Sequence, residues 1–134
     1  MAATADVMKA LFARVKAFGA AQSLPVAYPE PATTFVPPAD GKYLSVTFIQ
    51  NRPRWEGLSS GRIDQGLLQV DVFWPKGQGL PAPSAIADAL VSYFTGQRLY
   101  SGSARVKIAG EPWASEPLIE INQVRLPVTI PWTA

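Results

Sequence analysis

The sequence predicts an α+β fold in which one mainly antiparallel sheet carries two helices packed on one face. Two segments have apolar residues at the three- and four-residue spacing of a helix, and several others alternate apolar with polar residues as strands do. Their order along the chain is α-β-β-α-β-β. Strands joined by hairpins pair antiparallel and each helix has one apolar stripe to bury, so the simplest packing places both helices on the same side of the sheet.

The first predicted helix runs from Thr4 to Phe18. Its apolar residues fall on one stripe: Met8, Leu11, Phe12, Val15 and Phe18. Thr4 can cap the start of this helix and Gly19 can close its end. The following segment, Leu24 to Asp40, is rich in proline. Because proline has no amide hydrogen to donate, this segment should be extended and should pair at most through a short edge piece.

Two central strands are predicted from Tyr43 to Gln50 and from Leu67 to Trp74, because apolar and polar residues alternate in both. These strands should pair antiparallel. Residues 51–66 between them are predicted to be a long connecting loop. Loops of this length in compact domains often carry function, so this segment is the first place to look for a site.

A second helix is predicted with Pro83 in its first turn, which suits proline, and it should end at Gly96. A short strand from 105 to 109 and a longer strand from 118 to 130 complete the pattern. Pro127 cannot donate to a hydrogen-bond ladder. The last strand is therefore expected at an edge of the sheet or with a bulge.

The composition limits the chemistry that this chain can perform. The chain has 134 residues, no histidine and no cysteine. This length predicts one domain over residues 1–134. Without imidazole or thiolate, the usual general base, the commonest zinc ligand and the usual thiol nucleophile are missing. We therefore expect no enzymatic activity, no cofactor and no metal.

The low content of charged residues predicts that part of the protein surface is covered by a partner. Charged residues make up 16% of the chain and the formal net charge is +2, whereas soluble domains average about 25% charged residues. Part of the surface is therefore expected to be covered by a partner. Asp6, Lys9, Arg14 and Lys16 interrupt the apolar residues near the start, so no signal peptide or membrane span is expected.

One literal catalytic motif is present, the Gly-x-Ser-x-Gly pattern at residues 57–61. A nucleophile elbow needs a strand that leads into a helix and a histidine that accepts the serine proton. This pentapeptide lies in the predicted loop of a chain without histidine, so we interpret the match as accidental. Gly77 and Gly79 lack the rest of a phosphate-binding motif and indicate a plain turn. The scattered carboxylates, Asp71 and Asp88 among them, are expected on the solvated surface.

Arg52, Arg54 and Arg62 lie close in sequence to Trp55 in the predicted loop. Cations beside an aromatic ring can meet phosphates and a stacked base. Arginine and tryptophan are also enriched at protein interfaces, where the ring serves as an anchor and the arginines bridge to carboxylates. The modest net charge favours the interface.

Four sequence segments carry a resemblance that covers nearly the whole chain. After the N-terminal helix and the proline-rich stretch, they are KYLSVTFIQNRP, GLLQVDVFWPKGQG, APSAIADALVSYF and INQVRLPVTIPW. The most specific parts are QVDVFWPKGQG and RLPVTIPW, neither of which is a catalytic signature. In this arrangement the chain resembles small bacteriophage tail-completion proteins of the tail-terminator-like family.

The resemblance implies a non-enzymatic structural protein of the virion, located in the phage tail and assembled in the host cytoplasm. Members of the family form a ring, often hexameric, which caps the growing tail tube, stops its polymerisation and presents a surface to the head-completion proteins. The implied partners are further copies of the chain, the tail tube protein and a head-tail connector protein. Duplex DNA would pass through the lumen without specific contacts, and no membrane is involved.

Position and chemistry, rather than a transferable motif, select the candidate contact residues. They are Arg52, Arg54, Trp55 and Arg62 in the loop, Arg125 and Trp132 in an edge expected from 125 to 132, and the segment 29–38. Two alternatives stay open: another head-tail joining or minor capsid protein, and a small nucleic-acid-binding module.

Overall fold

The structure is a computed structural model, and it describes residues 4–29, 34–57, 61–102 and 104–134. Within these ranges the chain forms two helices and one sheet, which confirms the predicted α+β class. The elements are α1 (Thr4–Gln22), β1 (Val26–Ala27), β2 (Tyr43–Gly57), β3 (Gly61–Pro75), α2 (Pro81–Phe94), β4 (Arg98–Ser101), β5 (Ala104–Ile108), β6 (Trp113–Ala114), β7 (Leu118–Ile119) and β8 (Gln123–Thr133).

The helix α1 continues past Gly19, so the predicted end of this helix is wrong. Gly19 is buried, and a Cβ added to it would lie 2.7 Å from Val26 Cγ2 and 2.8 Å from the carbonyl oxygen of Leu24. The missing side chain thus lets the following segment pass close to the helix. The helix instead ends at Gln22: the next residue, Ser23, has a φ of 57°, and Leu24 N–H donates to the carbonyl of Gly19 at 2.8 Å.

The strands β2 and β3 form a hairpin that is much longer than predicted. They pair antiparallel from Tyr43 opposite Phe73 as far as Gly57 opposite Gly61, with register shifts between 51 and 54 and between 55 and 57. The long loop predicted for residues 51–66 is therefore wrong. Glycines and polar residues interrupt the apolar–polar alternation in residues 51–66, so the strands cannot be recognised from the sequence. The hydrogen bonds between the backbones of two strands form without that alternation.

The strand β8 lies inside the sheet, so the expected edge from 125 to 132 is also wrong. The strand order is β1-β2-β3-β8-β5-β4, and the short strands β6 and β7 also pair with β8. The carbonyls of Pro127 and Pro131 accept hydrogen bonds from Ser115 and Ala109, on the side of β8 away from β3. Since the N and O atoms of a strand residue point to the same side, the missing N–H groups face these short segments and leave the ladder to β3 intact.

Several short strands were not anticipated. The predicted strand from 118 to 130 is split into β7 and β8 by a turn in which Glu120 N–H donates to the carbonyl of Gln123 at 2.8 Å. The segment before β5 forms β4 rather than a simple turn, whereas β1 matches the expected short edge piece.

The hydrophobic core lies between one face of the sheet and the apolar stripes of both helices, which belong to one cluster of buried side chains. The buried apolar residues of the sheet have even numbers in β2, β3, β5 and β8, with relative exposures of 8% or less. The odd-numbered residues point to the other face, which we call the open face. On it, direct partners across the strands form rows such as Tyr43, Phe73, Arg125 and Leu118.

Candidate assembly surfaces

The far end of the β2–β3 hairpin extends past the end of β8 as a two-stranded ribbon. The last pairs between β3 and the C-terminal strand are Gln65 with Thr133 and Asp64 with Ala134, whereas the hairpin continues through Trp55 opposite Arg62. We call residues 52–57 and 61–63 the hairpin tip. A ribbon without neighbouring strands is free to reach another molecule.

Three of the candidate contact residues lie on the surface of the hairpin tip. Arg52 and Arg54 are exposed, and Trp55 is 70% exposed. The Nε2 of Gln65 donates to the carbonyl of Arg52 at 3.1 Å, which fixes the backbone where the register shifts. The backbone of Arg62 is paired opposite Trp55, but the side chain of Arg62 lies outside the described part of the structure. The tip therefore presents a large aromatic ring beside cations.

Arg125 has a partner within its own chain. Its Nη2 and Nε lie 2.8 and 3.1 Å from Oδ2 of Asp71, and Gln69 Nε2 donates to Oδ1 of the same carboxylate at 3.0 Å. Asp71 is 3% exposed, although the sequence pattern suggested a solvated carboxylate. Alternation correctly placed Asp71 on the polar face, but only the sheet register shows that Arg125 lies near enough to cover it.

Trp132 is a core residue, which corrects its expected place on a contact surface. It is 1% exposed and stacks on Phe48 with ring centroids 5.4 Å apart. The ring also covers Gly66, which is its direct partner across the strands. A Cβ added to Gly66 would lie 2.7 Å from Cζ2 of Trp132, so the glycine makes room for the indole.

The open face carries a ladder of rings that continues to the proline-rich segment. Tyr43 stacks on Phe73 at 4.7 Å between centroids, Phe35 lies 5.3 Å from Tyr43, and the guanidinium of Arg125 lies 5.8 Å from the Phe73 ring centre. Burial raises the pKa of Tyr43 above its ordinary value, and the negative charge of Glu120 adds to this. Phe35 thus fixes one part of the candidate segment 29–38 to the sheet, while residues 30–33 lie outside the described ranges.

A groove of about 610 Å³ runs between α1 and the edge strand β1. We call it the α1–β1 groove. Its apolar lining includes Phe12, Leu24, Val26 and Tyr28, and the exposed residues Lys9 and Lys16 lie along it.

A second apolar surface lies at residues 116–121, beside β8 on the side away from β3, and we call it the acidic ledge. Leu118, Ile119 and Ile121 are 50%, 65% and 88% exposed. Glu116 and Glu120 of the same segment are also exposed. The ledge therefore combines apolar side chains with negative charge, and sequence reasoning missed it because the segment was read as the start of a long strand.

The glycine-containing motifs named above lie between consecutive secondary-structure elements. The Gly-x-Ser-x-Gly pattern begins at the last residue of β2 and ends at the first residue of β3, and Ser59 lies outside the described residues. Gly77 and Gly79 have φ of 89° and 83° and form the turn before α2. Among the described residues, no three of His, Cys, Asp and Glu cluster as a metal site would require. Neither helix in these ranges is long and apolar enough to cross a membrane.

Known proteins share both the fold and the sequence pattern of this chain. One solved protein chain of 23% sequence identity superposes with a TM-score of 0.80, covering 99% of this chain and 96% of that one. A chain from the virion of a native gene transfer agent particle, at 15% identity, superposes with a TM-score of 0.63 over 99% of this chain and 98% of that one. No functionally curated protein sequence matches. The family described as phage tail terminator protein matches residues 6–132, so the chain belongs to the phage tail terminator family.

Proposed function

We propose that this protein forms a ring at the end of a phage tail tube, stops the growth of the tube and joins the tail to the head-completion proteins. The observation that carries the proposal is the family match over residues 6–132, which supports a structural role in the tail. Further copies of the chain, in a hexamer as the resemblance implies, the tail tube protein and a head-tail connector protein are the proposed partners.

The distribution of exposed apolar residues supports an assembly role. Trp55 at the hairpin tip, Trp113 beside the open face and Ile121 on the acidic ledge are 70%, 51% and 88% exposed. The hairpin tip with Trp55 lies apart from the segments beside β8 that carry Trp113 and Ile121. One binary interface would instead need one continuous patch. A ring subunit meets two neighbouring copies through different surfaces and also meets what lies above and below the ring.

The proposed mechanism is geometric. One side of the ring takes the place of the next ring of tube protein and covers the last exposed tube surface. The opposite side lacks the surface that a further tube ring would bind, so polymerisation stops there. This mechanism makes and breaks no covalent bond, so it requires no catalytic group.

Contact with the DNA that passes through the ring is proposed to be non-specific. On the β4–β5 hairpin, Arg98 lies directly opposite Lys107, and Arg105 follows on the same face. Opposed like charges destabilise a strand pair, and a nearby polyanion relieves this repulsion. We expect such contacts to be weak and salt-sensitive rather than base-specific.

The proposal is tested in virus particles that assemble without this protein. We expect overlong tails of variable length that fail to attach to heads, because nothing stops the tube or presents the joining surface. Electron microscopy gives the distribution of tail lengths, and a supplied wild-type copy of the protein should restore one length. Tails of normal length joined to heads in its absence would contradict the proposed function.

A further inference from the structure

We propose that neighbouring copies in the ring meet through the α1–β1 groove of one copy and the acidic ledge of the next. This inference rests on the proposed ring function and specifies which surfaces close the ring. A cyclic assembly of more than two copies needs two different surfaces on each subunit, one binding the other on its neighbour. The groove is concave and the ledge presents protruding apolar side chains, as such a pair requires.

The two surfaces lie at opposite edges of the same part of the sheet. In one row across the strands, Val26 of β1 pairs with Leu44, Leu44 with Val72, and Val72 with Leu126 of β8. The ledge strand β7 pairs with β8 at the adjacent residue, Arg125. Groove and ledge are therefore separated by the width of the sheet, about 19 Å at the usual spacing of strands. A neighbour can then be added side by side without turning the sheet over.

The charges of the two surfaces are complementary. The groove carries Lys9 and Lys16, while the ledge carries Glu116 and Glu120. Opposite charges around an apolar contact fix its register and exclude other partners. This pairing also covers Leu118, Ile119 and Ile121, which are otherwise exposed to water.

The hairpin tip, another protruding apolar surface among the described residues, fits the groove poorly. The hairpin tip presents Trp55 together with Arg52 and Arg54, so docking it would bring arginines towards Lys9 and Lys16. Like charges brought together at an interface are unfavourable. The tip is therefore left for a contact other than the one with the groove.

Prolines near β1 and β7 favour a contact through side chains over one through backbone hydrogen bonds. Pro25 precedes β1 and Pro29 follows it closely, and Pro117 precedes β7. Proline removes an amide donor at each of these places, which limits the extension of either edge by strand addition. Side-chain packing in the groove is then the main source of the contact.

The absence of native cysteine allows a direct test by cross-linking. Ala13 is an exposed residue of the groove and Ile119 an exposed residue of the ledge, so A13C and I119C are combined in one chain. If the surfaces meet, oxidation or a short bis-maleimide links each copy to the next. We expect a ladder of covalent oligomers that ends at the ring size, while each single-cysteine variant stops at a dimer. A13C combined with A85C, an exposed position of α2, is the matched control and should give no ladder.

Charge reversal provides an independent test, which measures assembly without a covalent cross-link. Lys16→Glu or Glu120→Lys should each raise the protein concentration needed for assembly about 10-fold, and the two together should restore it to within about 2-fold. Lys76→Glu, an exposed lysine in the turn after β3, makes the same charge change away from both surfaces and should have no effect. Circular dichroism establishes that each variant is folded.

The outcomes separate this inference from the proposed function. A wild-type protein that assembles, but gives no ladder and ignores the charge reversals, would overturn the groove–ledge contact and leave the ring in place. A wild-type protein that forms no oligomer either in solution or on tube ends would overturn the ring itself.

Discussion

The ion pair between Asp71 and Arg125 holds a buried carboxylate on the open face of the sheet. Its loss should cost stability, because Arg125→Met removes two donors within 3.1 Å and leaves Gln69 as the remaining side-chain donor to this carboxylate in the described part of the chain. Breaking a fully buried pair costs about 3–5 kcal/mol. Since the Arg125 side chain is 37% exposed and water can reach it, we expect a loss of about 2 kcal/mol of unfolding free energy. Urea denaturation measures this loss.

Two further variants show whether the buried charge is the cause of that loss. Arg105→Met, an exposed arginine on β5, should change the free energy of unfolding by less than about 0.5 kcal/mol. Adding Asp71→Asn to Arg125→Met should recover part of the loss, because no charge is then left buried. Equal effects of Arg105→Met and Arg125→Met would show that the pair has no special role.

The sequence placed some candidate residues better than others. The exposure of Arg52, Arg54 and Trp55 agrees with the expected surface location, although their role as contacts stays a prediction. Trp132 was misplaced because a tryptophan near a terminus gives no local sign of burial. Its burial depends on Gly66 in a distant strand, and composition and periodicity carry no information about such a pairing.

At the level of the strands, Gly66 of β3 pairs with Gln50 of β2 on one side and with Trp132 of β8 on the other. An alanine Cβ there would contact the carbonyl oxygen of Ile49 and lie 2.7 Å from the Trp132 ring. Neither the backbone of a paired strand nor a packed indole can move away easily. We expect Gly66→Ala to lower the free energy of unfolding by roughly 3 kcal/mol or more, measured by thermal or urea unfolding.

The control for this prediction is Gly96→Ala, after α2. Gly96 has a φ of 70° and no atom within 4 Å of an added Cβ, so its substitution brings only backbone strain. That strain is about 1–2 kcal/mol for a non-glycine residue. If Gly66→Ala proved no worse than Gly96→Ala, the close packing around Gly66 would not limit stability.

Elements with regular spacing were predictable, and those defined by pairing were not. The stripe of α1 and the alternation in β2 and β3 are visible in the sequence because they repeat. The ends of these elements depend on tertiary contacts instead, as at Gly19, where the close approach of Leu24 outweighs the usual signal of a helix end. Pro127 misled in a similar way, because its effect depends on which neighbouring strand its missing N–H would face.

For the whole molecule, the predicted class was correct but the assembly surfaces depended on the order of the strands. The last strand, β8, pairs directly with β3, and the short strands β4 to β7 lie beyond β8 on the side away from β3. Periodicity does not reveal such an insertion, since many strand orders share the same alternation. The separation of the acidic ledge from the α1–β1 groove follows from this order.

The hairpin tip provides a prediction about assembly that is independent of the stability of the subunit. Trp55 is 70% exposed, so replacing Arg54 and Trp55 together by alanine should leave the free energy of unfolding within about 0.5 kcal/mol of wild type. We expect weaker binding to the tube or between subunits, because an exposed tryptophan beside arginine is typical of binding hot spots. Light scattering gives the oligomer mass, and electron microscopy gives the tail length in particles that carry the variant. Tyr100→Ala removes another aromatic side chain, 68% exposed on β4, and should leave both unchanged. A double variant with normal oligomer mass and normal tails would show that the tip contacts no partner in the tail.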